Sequence, residues 1–94
     1  MPFRADYQDP FTRQGIEKVP ATAHGVYGLR KLGEWVYVGK GDIRDRLLSH
    51  LNGDNSCITR NNPTSYVAEV TSNADAREEQ LIRELDPTCN RRVG

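Results

Sequence analysis

Residues 25–41 read GVYGLRKLGEWVYVGKG, and this segment determines the architecture that we expect for the chain. Residues 25–29 and 35–38 are rich in the β-branched and aromatic side chains that favour strands, and a glycine-containing turn lies between them. The segment therefore predicts an antiparallel hairpin. Tyr27 lies early in the first strand and Tyr37 late in the second, so antiparallel pairing brings the two tyrosines side by side.

A helix is predicted directly after the hairpin. Asp42 is its expected N-cap, and the helix runs to about Leu51, where an Asn-Gly pair stops it. Residues 39–41, GKG, then form a turn between strand and helix, with phosphate binding through backbone N–H groups as the alternative role. Residues 52–64 have the composition of a loop, with a short extra helix expected over residues 55–61.

The remaining residues predict one more strand and one more helix. Residues 65–71 alternate as a strand, and Ser72 and Asp75 resemble the capping box of a helix that ends near Leu85, before an Asp-Pro pair. The order β-β-α-β-α predicts an α+β fold with a three-stranded antiparallel sheet flanked by helices.

The length of 94 residues suits one domain with a modest core. Residues 1–20 show no clear period and predict an irregular N-terminal arm, while residues 21–94 are expected to form the domain. No apolar segment is long enough to cross a membrane, and no apolar run follows the first charged residues. We therefore expect a cytoplasmic protein with no membrane partner.

The charge balance argues against a strongly basic nucleic-acid surface. Lys plus Arg and Asp plus Glu each number 13, so the formal net charge is zero at pH 7. Residues 30–60 hold six basic and four acidic residues, which predicts only a weak basic face.

The two cysteines, Cys57 and Cys89, have no Cys-x-x-Cys spacing and no histidine at ligand spacing. This pattern disfavours a zinc site. In a reducing cytosol we expect two free thiols, with a disulfide as the alternative.

One carboxylate on the last helix is expected to be partly buried. Glu78 precedes the apolar residues Leu81 and Leu85 at helical spacing and so points along their stripe, where an unpaired charge is costly. Glu78 therefore needs a partner. Glu79 is rotated towards Arg83 and is explained by an exposed i, i+4 ion pair.

The other polar residues are ambiguous when each is taken alone. If Glu78 has no functional role, Arg46 is its expected partner in an ion pair. His50 lies one turn after Arg46 on the same helix. A histidine at a helix end is commonly stabilised by the helix dipole. His24 is expected at the surface.

Taken together, these features resemble the GIY-YIG nucleases over about residues 20 to 90. The triplets GVY at residues 25–27 and YVG at residues 37–39 resemble the two tyrosine motifs that name this family, with valine in place of isoleucine. The segment RLLSH at residues 46–50 resembles its arginine helix. The segment EEQLIRELDPTCN at residues 78–90 resembles its acidic helix and closing asparagine.

The resemblance implies a metal-dependent endonuclease that hydrolyses phosphodiester bonds of nucleic acid, with DNA expected and RNA as the alternative. Glu78 would hold one Mg²⁺ or Mn²⁺, and Arg46 would contact the scissile phosphate. Tyr27 is the expected general base, with Tyr37 as the alternative, and Lys40 would tune its pKa. The catalytic residues implied are Tyr27, Tyr37, Lys40, Arg46, His50, Glu78 and Asn90.

Three further residues, Gly39, Arg44 and Arg60, are expected to contact the substrate. Arg44 also competes for the arginine role, because the link that precedes Arg46 is about one residue shorter than in the excision-repair nuclease of the family. His50 would relay a proton or orient a phosphate, and Asn90 would tie the chain end to the site.

Two other functions remain open at this point. The first is a nucleic-acid-binding module that has kept the fold without activity. The second is a protein-interaction domain that binds through the faces of Trp35 and Tyr66. Since the sequence contains no separate targeting module, a homodimer partner or a targeting protein is expected to help locate the substrate.

Overall fold

The computed structural model of the protein describes residues 2–91. Four strands pair into one antiparallel sheet in the order β1-β4-β2-β3. This confirms the α+β class, with four strands in place of the expected three. The elements in chain order are β1 (Tyr7–Pro10), α1 (Arg13–Ile16), β2 (His24–Lys31), β3 (Glu34–Asp42), α2 (Ile43–Leu51), α3 (Ser56–Asn61), β4 (Ser65–Val70) and α4 (Ala74–Leu85), followed by a 3₁₀ turn over Thr88–Asn90.

The predicted hairpin is present and is longer than expected. Leu32 and Gly33 form its two-residue turn, with φ of 50° and 83°. Positive φ at both positions is the geometry whose twist matches that of the flanking strands. The register is irregular between Leu29 and Arg30, and Leu29 lies opposite Tyr37.

The residues between hairpin and helix differ from the prediction. Residues 39–41 were expected to form a turn, but β3 continues through them to Asp42 because they pair with β2. Asp42 is the N-cap of α2, yet its side chain makes no capping hydrogen bond. The short helix α3 lies within the range expected for it.

The N-terminal segment also differs from the prediction of an irregular arm over residues 1–20. β1 pairs with β4 and α1 follows it. A four-residue strand is too short to show a clear alternation, and Pro10 ends it at the sheet edge, where a missing N–H is tolerated. The arm is therefore part of the sheet.

Helices cover both faces of the sheet. On one face α1, α2 and α3 enclose a core that includes Tyr27, Leu29 and Tyr66. On the other face α4 packs Leu81 against Val26, among other residues. The alternation of strand side chains explains this division, because neighbouring residues point to opposite faces.

The packing of the core bears on the interaction-domain hypothesis, which required accessible faces on Trp35 and Tyr66. Tyr66 is buried, and its hydroxyl donates to the Gly15 carbonyl at 2.7 Å. Trp35 is half-buried; its ring centroid lies 5.2 Å from that of Phe3, and the Arg30 guanidinium lies over its ring. Tyr66 therefore presents no accessible face to a partner, whereas Trp35 is covered in part.

A buried ion pair joins β4 to α4. Arg77 donates from Nε to the Glu69 carboxylate at 2.9 Å, and the backbone N–H of Arg4 donates to the same group at 2.8 Å. Burial raises the pKa of Glu69, but these hydrogen bonds lower it below its usual range. The pair therefore ties the N-terminal segment to the last helix.

The start of α4 differs from the expected capping box. The N-cap is Asn73, one residue after Ser72, and it makes no side-chain capping bond. Asp75 is directed to Lys40 instead. Within residues 2–91, no helix is both long and apolar enough to cross a membrane.

The prediction of two free thiols is wrong, because Cys57 and Cys89 form a disulfide. Their Cα atoms are 5.7 Å apart, a separation that a disulfide spans readily. The fold brings α3 against the 3₁₀ turn, a contact between distant segments that cysteine spacing does not reveal.

We expect the Cys57→Ala/Cys89→Ala variant to lose about 3–4 kcal/mol of unfolding free energy, because the disulfide closes a long loop in the unfolded chain. The two residues are 32 positions apart. Urea denaturation of both proteins, with and without dithiothreitol, measures the difference. Dithiothreitol should shift the midpoint of the wild type only; equal midpoints for all four samples would contradict the prediction.

Candidate active site

The candidate site lies along β3, the strand at one edge of the sheet. Tyr27 from β2 is fully buried and Tyr37 from β3 is half-buried, with ring centroids 6.3 Å apart. The predicted proximity of the two rings is confirmed. Gly39 lies opposite Tyr27, and any side chain there would collide with the Tyr27 hydroxyl and the Tyr37 ring. Glycine at this position is what allows the two tyrosines to approach.

His50 connects the tyrosines to the end of α2. It is 4% exposed, and its Nε2 lies 2.7 Å from the Tyr27 hydroxyl. Its Nδ1 lies 2.8 Å from a carboxylate oxygen of Asp54, and the Tyr37 ring packs edge-on against it. His50 is thus fixed by side chains on both nitrogens, and the helix dipole is not its only partner.

Arg46 lies one turn before His50, on the same helix, and its side-chain carbons pass beside Gly41. Burial raises the pKa of Tyr27, and the neighbouring Tyr37 raises it further, while the Arg46 guanidinium lowers it. Burial outweighs the cation, so Tyr27 is a neutral phenol at pH 7. Arg46, and not Lys40 as expected, is the cation that acts on Tyr27.

Glu78 projects from α4 to the same edge of the sheet. Its side chain is 22% exposed, and a carboxylate oxygen lies 3.7 Å from the Lys40 ammonium. Lys40 also binds Asp75 at 2.5 Å. Among residues 2–91, the ion-pair partner of Glu78 is therefore Lys40, and not Arg46. Burial raises the pKa of Tyr37, and the negative charges of Glu78 and Asp54 raise it further.

Glu79 contrasts with its neighbour. Its carboxylate pairs with Arg83 at 3.1 Å, and both side chains are about three-quarters exposed, at 73% and 76%. The predicted exposed i, i+4 pair is confirmed. Helical periodicity alone therefore separated the glutamate at the site from the glutamate in solvent.

Asn90 binds the backbone of β3. Its side-chain oxygen accepts from the Val38 N–H at 2.8 Å, and its side-chain nitrogen donates to the Val38 carbonyl at 3.0 Å. These two bonds hold the 3₁₀ turn beside the edge strand. We call the six side chains along β3 the edge cluster: Tyr27, Tyr37, Lys40, Arg46, His50 and Glu78.

Some predicted residues lie outside the edge cluster. Arg44 is half-buried at the start of α2, Arg60 is exposed on α3, and His24 is exposed at the start of β2. In the described part of the chain, neither Arg44 nor Arg60 hydrogen-bonds to a member of the cluster. Sequence reasoning missed Asp54 and Asp75, although Asp54 stands four residues after His50, a spacing that often marks a contact.

The oxygen donors at this edge suit a weakly bound hard cation, one that prefers oxygen ligands. Among residues 2–91, no three acidic, histidine or cysteine side chains converge as a ready-made metal cage. Glu78 presents a carboxylate at this edge, and Asp54 lies behind His50, where its carboxylate is bound to the imidazole. Mg²⁺ commonly uses one or two carboxylates and completes its shell with waters and phosphate oxygens, so the residues present fit such an ion.

No protein-family model and no curated protein matches the chain. Solved structures do match it. The GIY-YIG N-terminal endonuclease domain of UvrC from Thermotoga maritima, bound to magnesium, is 27% identical, with a TM-score of 0.58 over 81% of this chain and 96% of that chain. Two point mutants of that domain, each bound to its catalytic divalent cation, match with 27% and 28% identity over 82% of this chain and a TM-score of 0.58. With both tyrosine motifs on adjacent strands of this fold, the chain is a member of the GIY-YIG superfamily.

Proposed function

We propose that this protein is a metal-dependent endonuclease that hydrolyses phosphodiester bonds in nucleic acid, with DNA as its substrate. The observation that carries the proposal is the edge cluster, in which two tyrosines, an arginine and a carboxylate meet at one edge of the sheet. The similarity to an endonuclease domain bound to magnesium supports it.

Glu78 would hold a single Mg²⁺ or Mn²⁺. Such an ion supplies charge neutralisation on the phosphate and lowers the pKa of water. Lys40 lies 3.7 Å from the same carboxylate, so the ammonium balances the charge of Glu78 in the absence of the ion. One carboxylate gives a low intrinsic affinity, and phosphate oxygens of the substrate would complete the shell.

Arg46 would bind the scissile phosphate. Its stem lies beside Gly41, and its guanidinium lies near both tyrosine hydroxyls, so it reaches the same edge as Glu78. A guanidinium presents two parallel donors to phosphate oxygens and keeps its charge at any working pH. Arg46 thus stabilises charge that develops on the phosphate in the transition state.

Tyr27 would accept the proton of the attacking water, because its hydroxyl already contacts a second proton acceptor, His50. The Tyr37 hydroxyl has no such partner among the hydrogen bonds of residues 2–91, so Tyr37 is assigned to packing and positioning. Asn90 and Gly39 keep β3 in the geometry that the tyrosines need.

The zero net charge sets a limit on this function. Nucleic-acid affinity comes largely from phosphate contacts with basic residues, and this chain has no surplus of them. A second copy or a separate targeting protein would therefore supply substrate affinity, and Arg44 and Arg60 are the proposed substrate contacts of this chain outside the edge cluster.

We expect purified protein to nick supercoiled plasmid in Mg²⁺ or Mn²⁺, to stop in EDTA, and to recover when metal is restored. A single site cuts one strand at a time, so nicked circles should appear before linear DNA. A panel of flap, junction, single-stranded and RNA substrates defines the preferred polymer. If no substrate is cut with either metal, yet nucleic acid binds in gel-shift assays, the chain is an inactive binding module and the proposal is wrong.

A further inference from the structure

The buried His50 contacts a different acceptor or donor with each ring nitrogen. Nε2 lies 2.7 Å from the Tyr27 hydroxyl and Nδ1 lies 2.8 Å from an oxygen of Asp54. His50 is 4% exposed, whereas the Asp54 side chain is 38% exposed. The three side chains therefore form one chain of hydrogen bonds that runs from the buried tyrosine to solvent.

The chemistry of Asp54 determines where the proton of a neutral His50 resides. A carboxylate only accepts hydrogen bonds, so Nδ1 must carry the ring proton in order to bind Asp54. Nε2 then has a free lone pair and accepts from the Tyr27 hydroxyl. The carboxylate thus makes Nδ1 a donor and Nε2 an acceptor, which fixes the direction of both hydrogen bonds of His50.

We propose that Asp54 is a positioning residue that fixes the tautomer of His50, so that Nε2 takes the phenolic proton while Tyr27 takes a proton from the attacking water. This inference rests on the proposed nuclease function. In this arrangement Tyr27 passes the proton on, and His50 is the base that finally accepts it.

The chain of hydrogen bonds carries the proton of the attacking water to His50. An O–H bond of water breaks, and its proton binds the Tyr27 oxygen as the phenolic proton leaves for His50 Nε2. The water oxygen forms a bond to phosphorus with the freed electron pair, and the P–O bond to the leaving oxygen breaks. The leaving oxygen takes a proton from solvent. Tyr27 stays neutral throughout, and the imidazolium faces the Asp54 carboxylate.

The surroundings of His50 show why the carboxylate matters. The groups that face the ring are Tyr27 on β2, Tyr37 on β3, Asp54 after α2, and Arg46 on its own helix. Burial lowers the pKa of His50, and Arg46 lowers it further, while the hydrogen bond and charge of Asp54 raise it. Asp54 is therefore the group that stabilises the imidazolium once the proton arrives.

The Asp54→Asn variant tests this arrangement, with Asp86→Asn as the matched control. Asp86 is exposed and pairs with Arg91, so the control removes one carboxylate charge without touching His50. The ¹⁵N chemical shifts of His50, measured without nucleic acid at a pH above its titration, identify the protonated nitrogen. We expect Nδ1–H in the wild type and the control, and a shift towards Nε2–H in the Asp54→Asn variant.

Kinetics provide the second measurement. With nucleic acid and Mg²⁺, the Asp54→Asn variant should lose about 10²- to 10⁴-fold in kcat with little change in KM, as for loss of general base catalysis. The acid limb of its kcat profile should also move to lower pH. Wild-type kcat in this variant, or a wild-type His50 protonated on Nε2, overturns the proposal.

The two measurements separate this inference from the function on which it rests. If the wild type cuts no nucleic acid, the proposed function is wrong, and the relay has no reaction to serve. The ¹⁵N shifts still decide whether Asp54 sets the tautomer. If the wild type is active and the Asp54→Asn variant keeps both its tautomer and its kcat, only the relay is wrong.

Discussion

The Glu78→Gln variant is expected to lose metal-dependent nicking by at least about 10²- to 10³-fold while it stays folded, the range seen when one group that stabilises transition-state charge is removed. Glutamine keeps the shape of the side chain but removes the charge that would hold the ion. The stability should change little, because the ion pair that Glu78 forms among residues 2–91 is with the half-exposed Lys40.

Glu79→Gln is the matched control for this change. It is the same substitution one residue later, on a side chain that is 73% exposed and, in the described part of the chain, paired only with Arg83. We expect full activity and an unchanged melting temperature in this control. Thermal shifts in Mn²⁺ add a measurement that does not depend on cleavage: the ion should stabilise the wild type and Glu79→Gln, but not Glu78→Gln. Near-wild-type nicking by Glu78→Gln would contradict the assignment of Glu78 as the metal ligand.

The hairpin and the glutamate at the site were predictable because their signals are local. Strand propensity and a turn glycine fall within residues 25–41, so the pairing of Tyr27 and Tyr37 required no distant contact. Helical periodicity likewise separated Glu78 from Glu79, since their side chains lie on different sides of one helix. Both features depend on the geometry of a single element or of two adjacent ones.

Most of the features that sequence reasoning missed depend on distant contacts. β1 is a strand only because β4 lies beside it, and the disulfide forms only because α3 packs near the 3₁₀ turn. The partner of Glu78 is Lys40 from β3, a choice that follows from how α4 docks on the sheet. Asp54 lies in a loop whose course no periodic pattern describes, although its spacing from His50 was visible.

The charge distribution assigns different tasks to the basic residues. Lys40 is engaged by Asp75 and Glu78, and Arg77 by the buried Glu69. Arg46 differs, because its main neighbours at the site are the hydroxyls of Tyr27 and Tyr37, and the Asp54 carboxylate acts on its charge more weakly. A phosphate would therefore meet in Arg46 a guanidinium whose charge no carboxylate of the edge cluster already neutralises.

We accordingly expect the Arg46→Ala variant to lose about 10²- to 10³-fold in turnover, the range for removal of one preorganised charge at a transition state. Substrate affinity should fall much less, because one phosphate contact is a small part of nucleic-acid binding. Losing the cation also raises the pKa of Tyr27 further, which makes any phenolate rarer. Single-turnover cleavage and fluorescence anisotropy measure the two quantities separately.

Arg44→Ala is the control that decides which arginine of α2 acts at the site. Both residues lie on the same helix, and both variants lose one positive charge, so a general electrostatic effect would weaken binding equally in the two. Only Arg46 has side-chain carbons beside Gly41 and a guanidinium near the tyrosines. If Arg44→Ala lost turnover while Arg46→Ala kept it, the register of the arginine helix would be wrong. Arg46→Lys completes the series: lysine keeps the charge but not the paired donors, so its turnover should fall between wild type and Arg46→Ala.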